Sequence, residues 1–256
     1  MGKALFFALP IRAAKESFLM TEILDILKSN CLNYIEWCDC HISPYDYTLA
    51  ENTALLCKNN GIQAVQYRSS FDILACGDLS KDFMPVIKTA VILGSESICL
   101  RAGNINSEDA DEEYIAGFIE KLEELSSLLQ KENKCVTFEF DKNTLFDNYM
   151  TTLSLLLELD FPNVFINWKP NDSVSLLYSL FELKTLIKYV KNVRINVKNP
   201  SGTYCALIEN KDDWRQYINI LRQKEHCIIL NSSQNEDELL GDINTLRDIL
   251  KIYEKN

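Results

Sequence analysis

Two glutamates stand in otherwise apolar runs of this sequence. Glu139 lies within Val136-Thr137-Phe138-Glu139-Phe140, and Glu36 within Tyr34-Ile35-Glu36-Trp37. Such runs read as buried strands. A carboxylate there must be paired, hydrogen-bonded, metal-bound or protonated. Placed beside a substrate carbonyl, Glu139 or Glu36 could remove a proton as general base. Asp141 follows Glu139 by two positions and so shares its face. Arg12, Arg68, Arg101, Arg194 and Lys198 lie at or near the ends of similar runs. Guanidinium groups hold phosphate or carboxylate through paired hydrogen bonds. Five cations stand against three carboxylates in these motifs. If all converge, two positive charges are left for an anion; the alternative is a ligand-free ring of salt bridges. Trp37 and Trp168 lie beside these positions and either stack on a sugar face or pack in the core.

Other clusters read more plainly. Cys38-Asp39-Cys40-His41 has the look of a metal clip. In a strand, however, Cys-x-Cys points both thiols to one face, and no second ligand pair lies nearby, so core packing is the expectation. Ser69-Ser70 and Ser232-Ser233 read as helix caps or loop residues, since no histidine is placed to activate them. Glu108, Asp109, Asp111, Glu112 and Glu113 gather where a helix would begin, and its dipole favours negative charge there.

The elements that must position these residues alternate along the chain. Eight short apolar runs span 5–12, 34–41, 62–70, 97–103, 134–140, 163–170, 192–199 and 226–233. Amphipathic stretches separate them. The clearest runs from 109 to 133, with Ile115, Phe118, Ile119, Leu122, Leu125 and Leu129 at helical spacing. Gly61 and Gly94 read as helix C-caps that lead into the next strand. Eight units in 256 residues leave about 32 residues each, the length of a strand–helix unit. Alternation implies parallel strands covered by helices. A count of eight predicts a single (β/α)8 barrel over residues 1–256, and the absence of a glycine-rich loop after the first strand disfavours a dinucleotide fold. In such a barrel the strand C-termini form the functional mouth.

Composition limits the partners. The net charge of −11 and pI near 4.8 oppose nonspecific binding to nucleic acid or to anionic membranes. No apolar run reaches the roughly 18 residues of a membrane helix. The first ten residues end their apolar run at Pro10, with Arg12 close behind, and read as a strand rather than a targeting segment. Nine scattered cysteines without paired CxxC spacing suit reduced thiols and a cytoplasmic setting.

The stretches 34–41 and 61–70, with Leu100-Arg101-Ala102-Gly103, Phe138-Glu139-Phe140-Asp141 and Asn167-Trp168-Lys169-Pro170, resemble the xylose-isomerase-like TIM barrels of the sugar phosphate isomerase/epimerase superfamily. The resemblance spans nearly the whole chain. It implies a divalent metal at the strand ends and two glutamates that move a proton on a sugar. Glu139 matches the fifth-strand glutamate. Asp141 stands where a histidine is frequent, Asn167 or Trp168 at the sixth-strand ligand position, Arg194 and Asn196 where the seventh strand often has histidine, and Asn231 where the eighth often has glutamate.

The resemblance therefore implies an isomerase or epimerase with a degenerate metal site, in which Glu139 or Glu36 moves the proton and the arginines hold an anionic sugar-derived substrate. The alternative is a non-catalytic anion-binding or regulatory protein on the same barrel. Repair-endonuclease chemistry is opposed by the acidic charge and the scarcity of histidine. Glu139 and Asp141, helped by Asn231, could hold at most a weak Mg2+ or Mn2+. A homodimer is left open. No tightly bound transition metal is expected: dialysed protein should retain no stoichiometric zinc or manganese near Glu139, and metal analysis checks this.

Overall fold

The computed structural model describes residues 6–10, 20–171, 173–195, 205–223, 226–230 and 236–254. Eight parallel strands close into a barrel in sequential order. They are β1 (Phe6–Pro10), β2 (Tyr34–Cys38), β3 (Gln63–Arg68), β4 (Ser97–Leu100), β5 (Cys135–Glu139), β6 (Val164–Trp168), β7 (Val190–Ile195) and β8 (Cys227–Leu230). Seven lie inside the apolar runs, and β7 starts two residues before the run at 192–199. The helices α1 (Met20–Ser29), α2 (Tyr47–Asn59), α3 (Leu79–Asp82), α4 (Met84–Ile92), α5 (Glu112–Lys131), α6 (Tyr149–Leu159), α7 (Leu176–Leu186), α8 (Lys211–Leu221) and α9 (Glu236–Glu254) fall between and after them.

Local chemistry sets the boundaries. Asp46, Asp78, Asp111, Asn148 and Ser175 each accept a backbone N–H three residues on and so cap α2, α3, α5, α6 and α7. Caps of this kind stabilise by about 1 kcal/mol each. The acidic cluster does start a helix, but α5 begins at Glu112 rather than 109, because the Asp111 side chain takes the Tyr114 N–H and stops the helix there. Gly61 and Gly94 adopt φ of +67° and +68° just before β3 and β4, a region open to glycine at little cost.

Strand parity sorts the side chains. Ile35, Trp37, Tyr67, Ile98, Phe138, Ile166, Trp168 and Val193 belong to the large apolar core. There Phe138 meets Phe118 of α5 and Phe146 edge-to-face, with centroids 5.6 and 5.4 Å away. The alternate positions fill the barrel interior. Val65, Cys227 and Ile229 form a small apolar cluster with Tyr34 packed against it, and a polar layer lies nearer the mouth. Two register shifts bear on that layer. β3 carries one extra residue at Val65 against β2, and β7 one at Lys191 against β6. Such bulges re-aim the residue that follows; those residues are Gln66 and Asn192, which meet inside the barrel.

Glu182, on the inner face of α7, is buried and its Oε2 lacks a hydrogen bond. Burial pushes its carboxyl up to about 7. An acid protonated in the fold but ionised in the unfolded chain loses stability as pH rises from its unfolded value towards its folded one. Glu182→Gln should therefore stabilise the protein by on the order of 2 kcal/mol near pH 8 and little near pH 4. Denaturant unfolding at both pH values checks this, and an equal effect at both would contradict it.

Candidate functional site

The polar layer is organised around Gln66 on β3. Its Nε2 donates to Glu36 Oε1 of β2 at 2.5 Å. Its Oε1 accepts from Thr137 Oγ1 of β5 at 2.7 Å, from Asn192 Nδ2 of β7 at 2.7 Å, and more distantly from Ser97 Oγ of β4 at 3.4 Å. One amide thus ties five strands together. All of these side chains are buried.

The charged groups lie just above, towards the C-terminal ends of the strands. Arg194 Nη2 donates to Glu36 Oε1 at 2.6 Å, and Arg68 Nε to Glu139 Oε1 at 2.5 Å. Lys169 Nζ stands 2.7 Å from Asp141 Oδ1 in a more open place. Burial alone would push the Glu139 carboxyl up, but Arg68, with Arg194 and Lys169 behind it, outweighs that and holds it below the usual glutamate range. Burial likewise works against the charge on Arg194, and Glu36 and Glu139 overcome it. Glu139 is therefore ionised in the fold. Its contribution to stability is present above its ordinary 4.5 and is lost as pH falls through its lower folded value.

These pairs bear directly on the sequence expectations. Glu36, Glu139, Arg68 and Arg194 do converge, but as internal ion pairs. Lys169, which the charge tally omitted, takes Asp141. Arg101 is the exception: it is exposed, and its guanidinium donates to the Asn143 carbonyl at 3.2 Å. Among the described residues no carboxylate pairs with it. Arg12, Lys198, Asn196 and Asn231 lie outside the described residues. Trp37 and Trp168 are both 0% exposed. Each adjoins an inward polar residue and so faces outward, where Trp168 packs edge-to-face on Tyr217 of α8. Neither ring presents a face to a ligand at the mouth, which corrects their assignment to substrate binding.

The same pairs bear on the metal expectation. A divalent ion at the strand ends would need Glu139 and Asp141 as free oxygen donors. Glu139 is held by one guanidinium, with a second contributing to its field, and Asp141 by an ammonium. A cation engages one oxygen of each carboxylate, so the pair fits a weak divalent ion at most. The surrounding polar residues Gln66, Thr137, Asn192 and Ser97 were missed as members of the site, and Asn167, noted as a ligand position, joins them. Gln66, Thr137 and Asn192 each lie two positions before a charged residue already noted, so strand alternation carried that signal.

Beside the ion pairs, the loops after β3, β4 and β5 enclose a cleft of about 490 Å3 lined by Ser70, Phe71, Asp72, Arg101, Gly103, Asn104 and Asn143. Gly103 has φ +75°, and a Cβ there would collide with the Tyr114 hydroxyl. The Asn104 N–H donates to that hydroxyl at 3.1 Å, which fixes the β4 loop along the cleft wall. Asp39, in the turn after β2, accepts from the Ser70 N–H at 2.5 Å and from its hydroxyl at 2.7 Å, anchoring the opposite side. The same turn overturns the core-packing expectation for Cys40, while Cys38 is buried as expected. β2 ends at Cys38, and the turn brings the exposed Cys40 back beside it, with Sγ atoms 2.7 Å apart.

Solved structures place the architecture. The probable 3-DHS dehydratase AsbF from Bacillus anthracis superposes with a TM-score of 0.77 at 17% identity, over 95% of this chain and 99% of that one. A D-psicose 3-epimerase gives 0.71 at 10% identity, over 95% and 98%. A xylose isomerase domain protein from Planctomyces limnophilus gives 0.69 at 14% identity, over 99% and 97%. The fold is that of the xylose-isomerase-like TIM barrels. No family model matches the chain, and no curated protein matches it in sequence.

If the ion pairs hold the interior together, breaking one side should cost more than removing both. Arg194→Met leaves Glu36 buried without its cation and should lower stability by about 3–5 kcal/mol. Adding Glu36→Gln to that variant should recover most of the loss, as judged by denaturant unfolding. A double variant no more stable than Arg194→Met would show that the guanidinium acts through packing.

Proposed function

We propose that the chain binds a small, anionic, polyhydroxylated ligand at the barrel mouth, without metal-dependent chemistry. The observation that carries this is the position of Arg101. It is a cation without a carboxylate partner among the described residues, and it lines a cleft. Ser70, Asp72, Asn104 and Asn143 supply hydroxyl, carboxylate and amide groups suited to sugar hydroxyls, and Phe71 an apolar ring. Arg101 would take the ligand's carboxylate or phosphate. Arg68 and Arg194 already have internal partners, so their part is to keep Glu139 charged and Glu36 fixed.

A second reading, an isomerase or epimerase, is favoured by the sugar epimerase and the dehydratase among the similar folds. In that case the ligand's anion would draw Arg68 away from Glu139. The freed carboxylate, its pKa rising, would take a proton next to the carbonyl. Thr137 and Asn192 would hold Gln66 and Glu36 in place below it.

Arg101→Ala separates binding from structure. Wild-type protein should show a thermal shift with at least one of phosphate, sugar phosphates or sugar acids at millimolar concentration. The variant should bind about thirtyfold more weakly, the loss of roughly 2 kcal/mol expected of one paired contact. No shift in the wild type, or an unchanged response in the variant, overturns the assignment. Turnover of a bound ligand that Glu139→Gln abolishes while binding survives would select the enzyme.

A further inference from the structure

The turn that closes β2 gathers three soft donors that the mouth does not use. Cys38 Sγ, Cys40 Sγ and a His41 ring nitrogen all lie within 4.8 Å of one another. Cys40 Sγ stands 3.1 Å from His41 Nδ1. None of the three belongs to the ion pairs or to the cleft lining. We infer that Cys38, Cys40 and His41 form a binding site for a thiophilic d10 cation, Zn2+, with solvent completing its coordination.

Four features of the turn support this. Its backbone is fixed: the His41 and Ile42 N–H groups both donate to the Cys38 carbonyl, at 3.0 and 3.1 Å, and the Asp39 N–H donates to the Arg68 carbonyl at 2.9 Å. The donors are therefore held by the barrel rim rather than by a free loop. The Cys40 N–H also donates to Cys38 Sγ at 3.4 Å, which fixes the position of that sulfur in the turn. Asp39 adds negative charge, with Oδ1 3.6 Å from Cys38 Sγ while Oδ2 is engaged by Ser69 and Ser70. Lastly, Cys38 is buried and Cys40 exposed, so an ion would be anchored on the protein side and open to water on the other.

The donor set selects the ion. Two sulfurs and an imidazole nitrogen suit zinc and other soft or borderline ions rather than Mg2+ or Ca2+. Three protein ligands with a fourth place for water is a known zinc arrangement. At Zn–S distances of about 2.3 Å, tetrahedral sulfurs stand roughly 3.8 Å apart. The thiols must therefore separate by about 1 Å from their present 2.7 Å, a movement that side-chain rotation at the exposed Cys40 can supply. This inference departs from the sequence expectation of no tightly bound transition metal. It is independent of ligand binding at the mouth.

The test uses the full chain reduced with a phosphine and loaded with Zn2+ or Co2+. Wild-type protein should retain one Zn2+ per chain after dialysis. With Co2+ it should show thiolate-to-cobalt charge-transfer absorption and the visible bands of a tetrahedral ion. Cys40→Ser should lose both signals with an unchanged circular dichroism spectrum, since Cys40 is exposed. His41→Ala should bind more weakly, and Cys31→Ser, at a remote exposed thiol, should behave as wild type. Equal uptake by wild type and Cys40→Ser overturns the assignment, as does the absence of thiolate absorption. So does a reduced protein that takes up no Zn2+ and simply reoxidises to a Cys38–Cys40 disulfide.

Discussion

Arg194 reaches Glu36 across the interior of the barrel, and the remaining polar chemistry depends on that buried pair. A carboxylate that is 1% exposed needs close hydrogen-bond partners, and a buried guanidinium cannot go uncompensated. Neither partner suffices alone, so Gln66 supplies Glu36 with a second hydrogen bond. Gln66 can do so only because its own carbonyl is satisfied by Thr137, Asn192 and Ser97. Each group in the chain is correct only when the next is present. The interior is thus a network with little tolerance for partial loss.

The same network sets what the mouth can offer a cation. Carboxylates at the ends of barrel strands attract whatever cation the surrounding strands can offer. In this chain β3 and β7 offer arginines, and these meet Glu139 and Glu36 directly. A covalently attached cation always present at the site competes with a mobile ion for the oxygen it holds. What remains open lies at the rim, where the loops after β3 and β4 leave Arg101 beside a polar cleft and where the turn after β2 gathers sulfur and imidazole. Both lie at the C-terminal end of the barrel strands, and apart from Cys38 at the end of β2 both are built from turn and loop residues.

The two bulges connect local irregularity to this arrangement. Without the extra residue at Val65, alternation through β3 would place either Val65 or Gln66 inside the barrel, but not both. The bulge lets Val65 complete the apolar floor while Gln66 enters the polar layer directly above it. On β7 the extra residue at Lys191 accompanies the placement of Asn192 opposite Gln66. Lys191 itself points to Glu96. A register shift that looks like a defect in each ladder is what allows the layers to meet.

Much of this was legible in the residues themselves. Eight apolar runs of β-forming residues, separated by helical periods and twice preceded by a glycine cap, leave little choice but eight parallel strands under helices, because each strand must bury both faces. Alternation alone already placed Glu139 and Asp141 on one face, and it carried enough to turn Trp37 and Trp168 outward from their polar neighbours. It did not say which cation each carboxylate meets. Glu36 pairs with Arg194, 158 positions away, and Glu139 with Arg68, 71 positions away, and only closure of the barrel sets those distances. Nor could a strand pattern show that Cys40 folds back on Cys38. That contact depends on where β2 stops, and the hydrogen bonds of the turn after it decide the point. Sequence periodicity determines which face a side chain takes; its partner across the barrel is decided by curvature, bulges and turns, which exist only once the sheet has closed.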